Sequence, residues 1–376
     1  MSAEKRTFDP DGDLLLQLSQ PAKKRAKKQP REASFDEADP QTSSLPSAEL
    51  GHNGDEAASP SGAESEDNDE ESLLDVEINM LVSSKHMKLS SPVFRAMLQR
   101  DGFKEGQILE ATGSVEIPLP DDDPEAMTIL LDVVHGRNRM VPRKVTLKTL
   151  TAIAVLADKY QMVEVLEAFS NSWIKRLKPK LPTEYLEAED ELSIFRWLKI
   201  SWVFSKAKEF KAMTRLMEQG GYSTMEQYAV GALAVPSIII DAVMERREEA
   251  LSECYLLIDQ TIQRYQRSEV LCPRDDIHLA PACDALLLGS LLKSVSSLGL
   301  YPAPEAPYDG VSFDEVEALL SDLSVQALCD RIRPYMEGNE FIPAHGLKDV
   351  IQERIAGISE RLAGLDLKEF KSQVIS

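Results

Sequence analysis

Absent from this sequence is any uninterrupted apolar run approaching the roughly 18 residues that cross a bilayer, and Met1 to Asp13 lacks the apolar core of a secretory signal. A soluble, intracellular chain with no membrane contact is expected. Positive charge is also scarce. Lys and Arg number 42 against 63 Asp and Glu, for a net charge of −21. Phosphate backbones are bound by clustered Lys and Arg, so no direct nucleic-acid binding is expected. Cysteines number four and histidines five, which fits a reducing compartment without obligatory disulfides. Catalytic signatures are missing too: there is no GxSxG elbow, no GxxxxGKS or GxxxxGKT phosphate loop, no HExxH and no GxGxxG. We therefore expect no enzyme, no catalytic residues and no cofactor.

What is present is apolar mass enough for about two domains, with 43% hydrophobic and 28% charged residues in 376. The densest pattern runs from Val82 to Leu98, VSSKHMKLSSPVFRAML. Met87, Leu89, Val93, Phe94 and Met97 make an apolar stripe, and Ser90, Ser91 and Pro92 supply a helix start with Pro in the first turn. A buried turn leading into a helix with one apolar face is the reading. Val115 to Leu119 then reads as a short strand. Asp123 caps a helix opened by Pro124 and Glu125, with Met127, Leu130, Leu131 and Val134 on its apolar side. The carboxylates Asp121 to Asp123 are read as capping charges at a helix N-terminus rather than metal ligands. Leu147, Leu150, Ile153, Ala154, Ala157 and Tyr160 repeat at helical spacing, and a further helix is expected from Val163 to about Leu177.

Taken in order, VSSKHMKLSSPVFRAML, FKEG at Phe103 to Gly106, the PDDDPEAM helix start, HGR at His135 to Arg137 and LADKY ending at Tyr160 resemble a BTB/POZ domain of filamentous fungi. The resemblance implies an α+β fold, a small sheet flanked by a helical cluster. It also implies a fungal source and a role in joining proteins. His86, in the buried turn, and His135, at a helix end before Gly136, read as structural rather than catalytic residues.

Such domains open with a strand hairpin. The first matching strand here is Asp13 to Ser19, and the second, Leu73 to Val82, alternates Leu74, Val76, Ile78 and Met80 on one face. Between them, Gln20 to Ser72 is almost empty of large apolar residues, a composition that cannot offset the entropy of ordering. Two readings stand: a disordered insertion at the hairpin tip, which we favour because loop-closure cost grows only logarithmically with length, or a chance apolar island in a disordered tail. The expected organisation is an N-terminal segment at 1–19, a disordered insertion at 20–72, a BTB/POZ domain at 73–177 and a helical extension at 178–376.

Within the insertion, Lys23, Lys24, Arg25, Lys27 and Lys28, in PAKKRAKKQPR, read as a nuclear import signal that an import receptor would engage. From Glu49 to Glu71 there is no Lys or Arg. That acidic tract reads as a solvating spacer, with contact to a basic partner such as histone tails as the sharper alternative. Ser59 and Ser61 are candidate phosphorylation sites that would deepen its charge.

The remainder is expected to be helical throughout. Leu192, Phe195, Trp197, Leu198, Trp202, Phe204 and Met213 are core candidates within Asp190 to Glu218. Helices follow from Pro236 to about Val270, Pro281 to Leu298 and Phe313 to Leu320, the last opened by a Ser312/Glu315 capping box, and a final one runs from about Gly346 to Leu362. CDALLLGSLL resembles the helical extension behind many fungal BTB domains. Cys272, Cys283, Cys329 and His345 are ligand types at a spacing that matches no compact zinc pattern. Ordinary core thiols and no metal are expected, zinc is the lesser alternative, and whether the four are close in space stays open.

Partners are expected to be other proteins, bound through the BTB domain and the helical extension, with homo- or hetero-oligomers both open. The leading expectation is a nuclear scaffold or adaptor in transcription or chromatin. The alternatives are an adaptor of a cullin-based ubiquitin ligase and a zinc-binding or enzymatic helical domain. The resemblance implies an N-terminal helix in swapped dimers, which Met1 to Gly12 is too short and polar to provide. It also implies, in cullin adaptors, an apolar and then an acidic residue after the DDDP turn. Here Ile129 stands two places after Met127, where the acidic residue would be.

Overall fold

The computed structural model describes residues 4–20, 76–185, 188–221, 233–273, 278–332, 335–337, 340–342 and 345–374. Four strands form the N-terminal sheet: β1 (Glu4–Thr7), β2 (Leu14–Gln20), β3 (Val76–Val82) and β4 (Val115–Pro118), in the order β1-β3-β2-β4. The period of two decides which face is buried. Leu14, Leu16 and Leu18 of β2, Ile78, Met80 and Val82 of β3, and Val115 and Ile117 of β4 all point into the core. Val76, expected on the buried face, is 40% exposed, so among the described residues the inward set runs from Ile78 to Val82, and Leu74 lies outside them. β2 and β3 pair antiparallel with Leu16 opposite Met80, and β2 and β4 pair parallel with Leu16 opposite Ile117. The parallel pairing of β1 with β3 is not legible in the sequence, because EKRT has no apolar alternation. It is fixed from outside: Arg137 Nη1 donates to Thr7 O at 3.0 Å, and Arg6 Nη1 donates to Thr128 Oγ1 at 2.7 Å.

Helices cover the sheet. The stretch after β3 is itself helical rather than a turn, with α1 (Ser84–Ser90) meeting α2 (Pro92–Met97) at Ser91. Ser91 makes that corner by accepting from Phe94 N with its side chain, while its hydroxyl donates to Tyr160 O at 2.6 Å. After α3 (Lys104–Thr112), β4 leads to α4 (Pro124–Val134), where Asp123 accepts from Ala126 N at 2.7 Å as the expected cap. Gly106 in α3 is required sterically, since a Cβ there would lie 2.0 Å from Gln99 O. α5 (Leu147–Lys159) and α6 (Val163–Leu177) follow at the expected positions.

The C-terminal half begins with α7 (Ala188–Val203) and α8 (Ala207–Gly220), which split the single amphipathic stretch of the sequence at Ser205, where φ is 53°. Leu192 lies on the exposed side, whereas Phe195, Trp197, Leu198, Trp202, Phe204 and Met213 are buried. Then come α9 (Ser237–Gln266), α10 (Ala280–Ser297), α11 (Phe313–Ser321), α12 (Leu328–Ile332), α13 (Leu347–Arg361) and α14 (Leu367–Val374). The Ser312/Glu315 capping box is present in full. The region is not helical throughout. A small antiparallel pair, β5 (Tyr335–Glu337) and β6 (Glu340–Ile342), interrupts it, and the tail forms α14.

The two halves share one core. Buried side chains from Phe8 to Phe370 form a single cluster that takes in the sheet, α4 to α8, the start of α9 and the tail. A second core joins α9, α10, α11 and α13. Arg247, fully buried on α9, bridges them: its guanidinium donates to Gly221 O, Pro307 O, Tyr308 O and Val311 O at 2.5–3.1 Å, pinning the proline-rich connection to the helix. At Gly364, φ is +84° and a Cβ would lie 2.0 Å from Lys211 O. That glycine lets the tail cross α8, where Gly364 N donates to the buried Glu218 carboxylate at 2.8 Å.

Candidate functional site

The motif Val82 to Leu98 divides into an anchoring and a presenting part. Met87 and Phe94 are fully buried, and Val93 and Met97 pack at the core margin. Leu98, one turn beyond Phe94, completes the buried set, a position the stripe as read from sequence did not include. Leu89 departs from that stripe: it is 77% exposed, because α1 ends at Ser90 and the chain turns before Leu89 can reach the core. Arg95 Nε donates to Lys88 O at 3.0 Å and fixes this corner. Phe103 and Met140, also on this half, are 62% and 61% exposed. After the DDDP turn, Met127 is fully buried and Ile129 packs against the core.

Both HGR and DDDP prove to be junctions. Ser83 N donates to His135 Nε2 at 3.1 Å, and His135 Nδ1 faces Leu131 O at 2.9 Å, so the ring is neutral with its proton on Nδ1. Burial lowers its pKa, partly opposed by the Leu131 bond. Arg137 lies 5.0 Å over the Phe8 ring and pairs with Asp132 at 3.3 Å. Of the three aspartates only Asp123 caps. Asp122 is buried and accepts from Lys159 Nζ at 2.7 Å and Tyr160 OH at 2.5 Å. Burial, and then that bond, raises the Tyr160 pKa.

LADKY also carries the link to the helical extension. Lys199 of α7, 1% exposed at its side chain, donates to Asp158 Oδ2 at 2.6 Å and to Ala234 O at 2.9 Å. Lys371 of α14 sits 4.1 Å over the Trp202 ring, and although burial lowers its pKa, the Asp158 carboxylate opposes that shift. One aspartate thus faces an ammonium from each of two helices of the extension. No sequence signal marked Lys199, since an isolated lysine in an amphipathic stretch reads as a surface residue.

A separate constellation gathers in the extension. Cys272 follows α9, Cys283 lies in the first turn of α10, Cys329 is on α12 and His345 precedes α13, yet one ligand atom from each lies within 4.8 Å of the others. The expected ordinary core thiols are therefore clustered with a histidine. Burial first, and then the bond with Cys283, push the Cys329 thiol up to about 12, and burial lowers the His345 pKa. Cys254 lies elsewhere, in the second core. The basic residues Lys23, Lys24, Arg25, Lys27 and Lys28, with the acidic tract and His52, lie outside the described residues.

Against known families, residues 73–177 match the BTB/POZ domain. No curated protein matches the chain, and no solved structure does. The matched segment contains β3, β4 and α1 to α6, while β1 and β2 are supplied by residues before it. BTB/POZ domains mediate protein–protein interaction and oligomerisation, and no described helix is long and apolar enough to cross a membrane.

Proposed function

We propose that this protein is a non-enzymatic nuclear scaffold or adaptor acting in transcription or chromatin. The BTB/POZ domain over residues 73–177 is the premise, and it is the observation that carries the reading. Its partner-facing candidates are the exposed apolar side chains Leu89, Phe103 and Met140, because water-facing side chains of this size are recovered by burial in an interface. The basic run Lys23, Lys24, Arg25, Lys27 and Lys28 supports nuclear import, since an acidic receptor groove binds extended basic side chains. The acidic tract beside it suits basic partners and repels nucleic acid.

Proximity labelling with the full chain in its native cell tests the reading. Chromatin-associated neighbours are expected, with a subset lost from a Leu89→Glu, Phe103→Glu variant whose thermal midpoint matches the parent. Substitution of the five basic residues by Ala is expected to move the protein out of the nucleus. Nuclear residence that survives this change would overturn the import assignment. A cullin as the dominant neighbour would overturn the transcription reading in favour of a ubiquitin-ligase adaptor.

A further inference from the structure

Four side chains drawn from 74 positions of chain meet at one corner of the extension, and three features of that corner point the same way. The first is geometric. A tetrahedral zinc ion, about 2.3 Å from sulfur and about 2.0 Å from nitrogen, separates its ligand atoms by about 3.5–3.8 Å. Cys283 Sγ stands 3.4 Å from His345 Nε2, and all four ligand atoms fall within a 4.8 Å spread.

The second feature is the shell behind the ligands. His345 turns Nε2 toward the sulfurs while Nδ1 meets Tyr265 OH at 3.2 Å, the arrangement that fixes a ligating imidazole's orientation. Cys329 N donates to Cys283 Sγ at 3.4 Å, which holds the helix bearing Cys329 against that sulfur. Leu271 N and Cys272 N both donate to Asp284 Oδ2, at 2.6 and 3.3 Å, which locks the loop bearing Cys272 onto the helix bearing Cys283.

The third is energetic. The local cluster has Cys283, Leu287 and Ala327 as its buried members, yet it joins the end of α9 to α10, α12 and the start of α13. So small a core is the setting in which a metal supplies the missing stabilisation. Ordinary packing accounts for buried cysteines, and an S–H from Cys283 accounts for His345 Nε2 at 3.4 Å, but neither brings Cys272 and Cys329 to the same point.

We propose that Cys272, Cys283, Cys329 and His345 bind a structural zinc ion that clamps these segments together. Sulfur donors select a soft or borderline cation over magnesium or calcium. Four protein ligands leave no open position, so the site is structural rather than catalytic. On binding, each of the three thiols gives its proton to solvent and the neutral imidazole donates its lone pair.

The test uses the full chain purified without chelator. Elemental analysis is expected to find about one zinc per chain, and cobalt exchange to give the strong visible bands of a tetrahedral thiolate site. Cys283→Ser and His345→Ala are expected to lose that metal, while Cys254→Ser, in the other core, retains it. Tyr265→Phe is expected to weaken zinc binding about 10–100-fold in competition with a chelator. Because the ligand variants can fail to fold, native mass spectrometry and the cobalt spectrum of the unmutated chain decide the matter alone. A folded wild type with no stoichiometric metal and no thiolate–cobalt absorption overturns the proposal, as does full zinc retention in Cys283→Ser.

Discussion

His135 carries a pH dependence that follows from its two bonds. Its Nε2 accepts from Ser83 N and its Nδ1 faces a carbonyl, so a second proton would break the Ser83 contact. Burial is the main cause that lowers its pKa, His86 at 5.0 Å between ring centroids and Arg137 act in the same direction, and the Leu131 bond and Asp9 oppose them. The folded pKa thus lies below the unfolded value of 6.5. Between those values the unfolded state binds more proton, so stability is complete above 6.5 and drains as pH falls through the folded value. Thermal midpoints measured from pH 8 downward should fall in this window for the parent chain, more than carboxylate titration alone gives. In His135→Gln the same segment of the curve should be flatter. Equal slopes in the two proteins would show that His135 does not couple the β3–α1 junction to pH.

At the scale of elements, the link between α5 and α7 has an asymmetry that mutation can expose. Lys199 is the buried partner and Asp158 the half-exposed one, so the two deletions are not equivalent. Asp158→Ala leaves the buried Lys199 ammonium with Ala234 O alone and removes the carboxylate that opposes Lys371 desolvation, a loss of about 1–3 kcal/mol for a half-exposed carboxylate. Lys199→Met instead removes the charge and keeps the volume, leaving Asp158 to water. Denaturant midpoints should rank Asp158→Ala as the less stable, and adding Lys199→Met to it should recover part of the loss. A double variant no better than Asp158→Ala would contradict this. The same elements mark how far the sequence could be read. α4, α5, α6 and the Ser312 cap were legible because periodicity and capping chemistry are local. Leu89 was misjudged because the Ser90–Pro92 corner, not the apolar pattern, sets its direction. β1 was hidden because its pairing depends on a partner strand more than 70 residues away. Cys272, Cys283, Cys329 and His345 are legible in the sequence as ligand types, but their meeting in space is not, since ligands spread over α9 to α13 leave no compact spacing signature.

For the molecule as a whole, the fold and the proposed import are separable. Gln20 and Val76 are directly opposed at the ends of β2 and β3, so the segment from 21 to 75 joins two positions that a hairpin turn could span. The described strands bury a continuous face: Leu14, Leu16 and Leu18 lie against Ile78, Met80 and Val82, and β4 pairs with the other edge of β2. Loop-closure cost rises about 0.6 kcal/mol per doubling of length. Replacing residues 21–75 with Asn-Gly should therefore leave a folded protein whose thermal midpoint is unchanged or higher. The same variant lacks Lys23, Lys24, Arg25, Lys27 and Lys28 and should no longer accumulate in the nucleus, while a zinc site on α9 to α13 keeps its metal. A folded, zinc-bearing but cytoplasmic variant would assign import to the inserted segment and architecture to the rest. A variant that fails to fold would instead mean that the segment contributes to the core it interrupts.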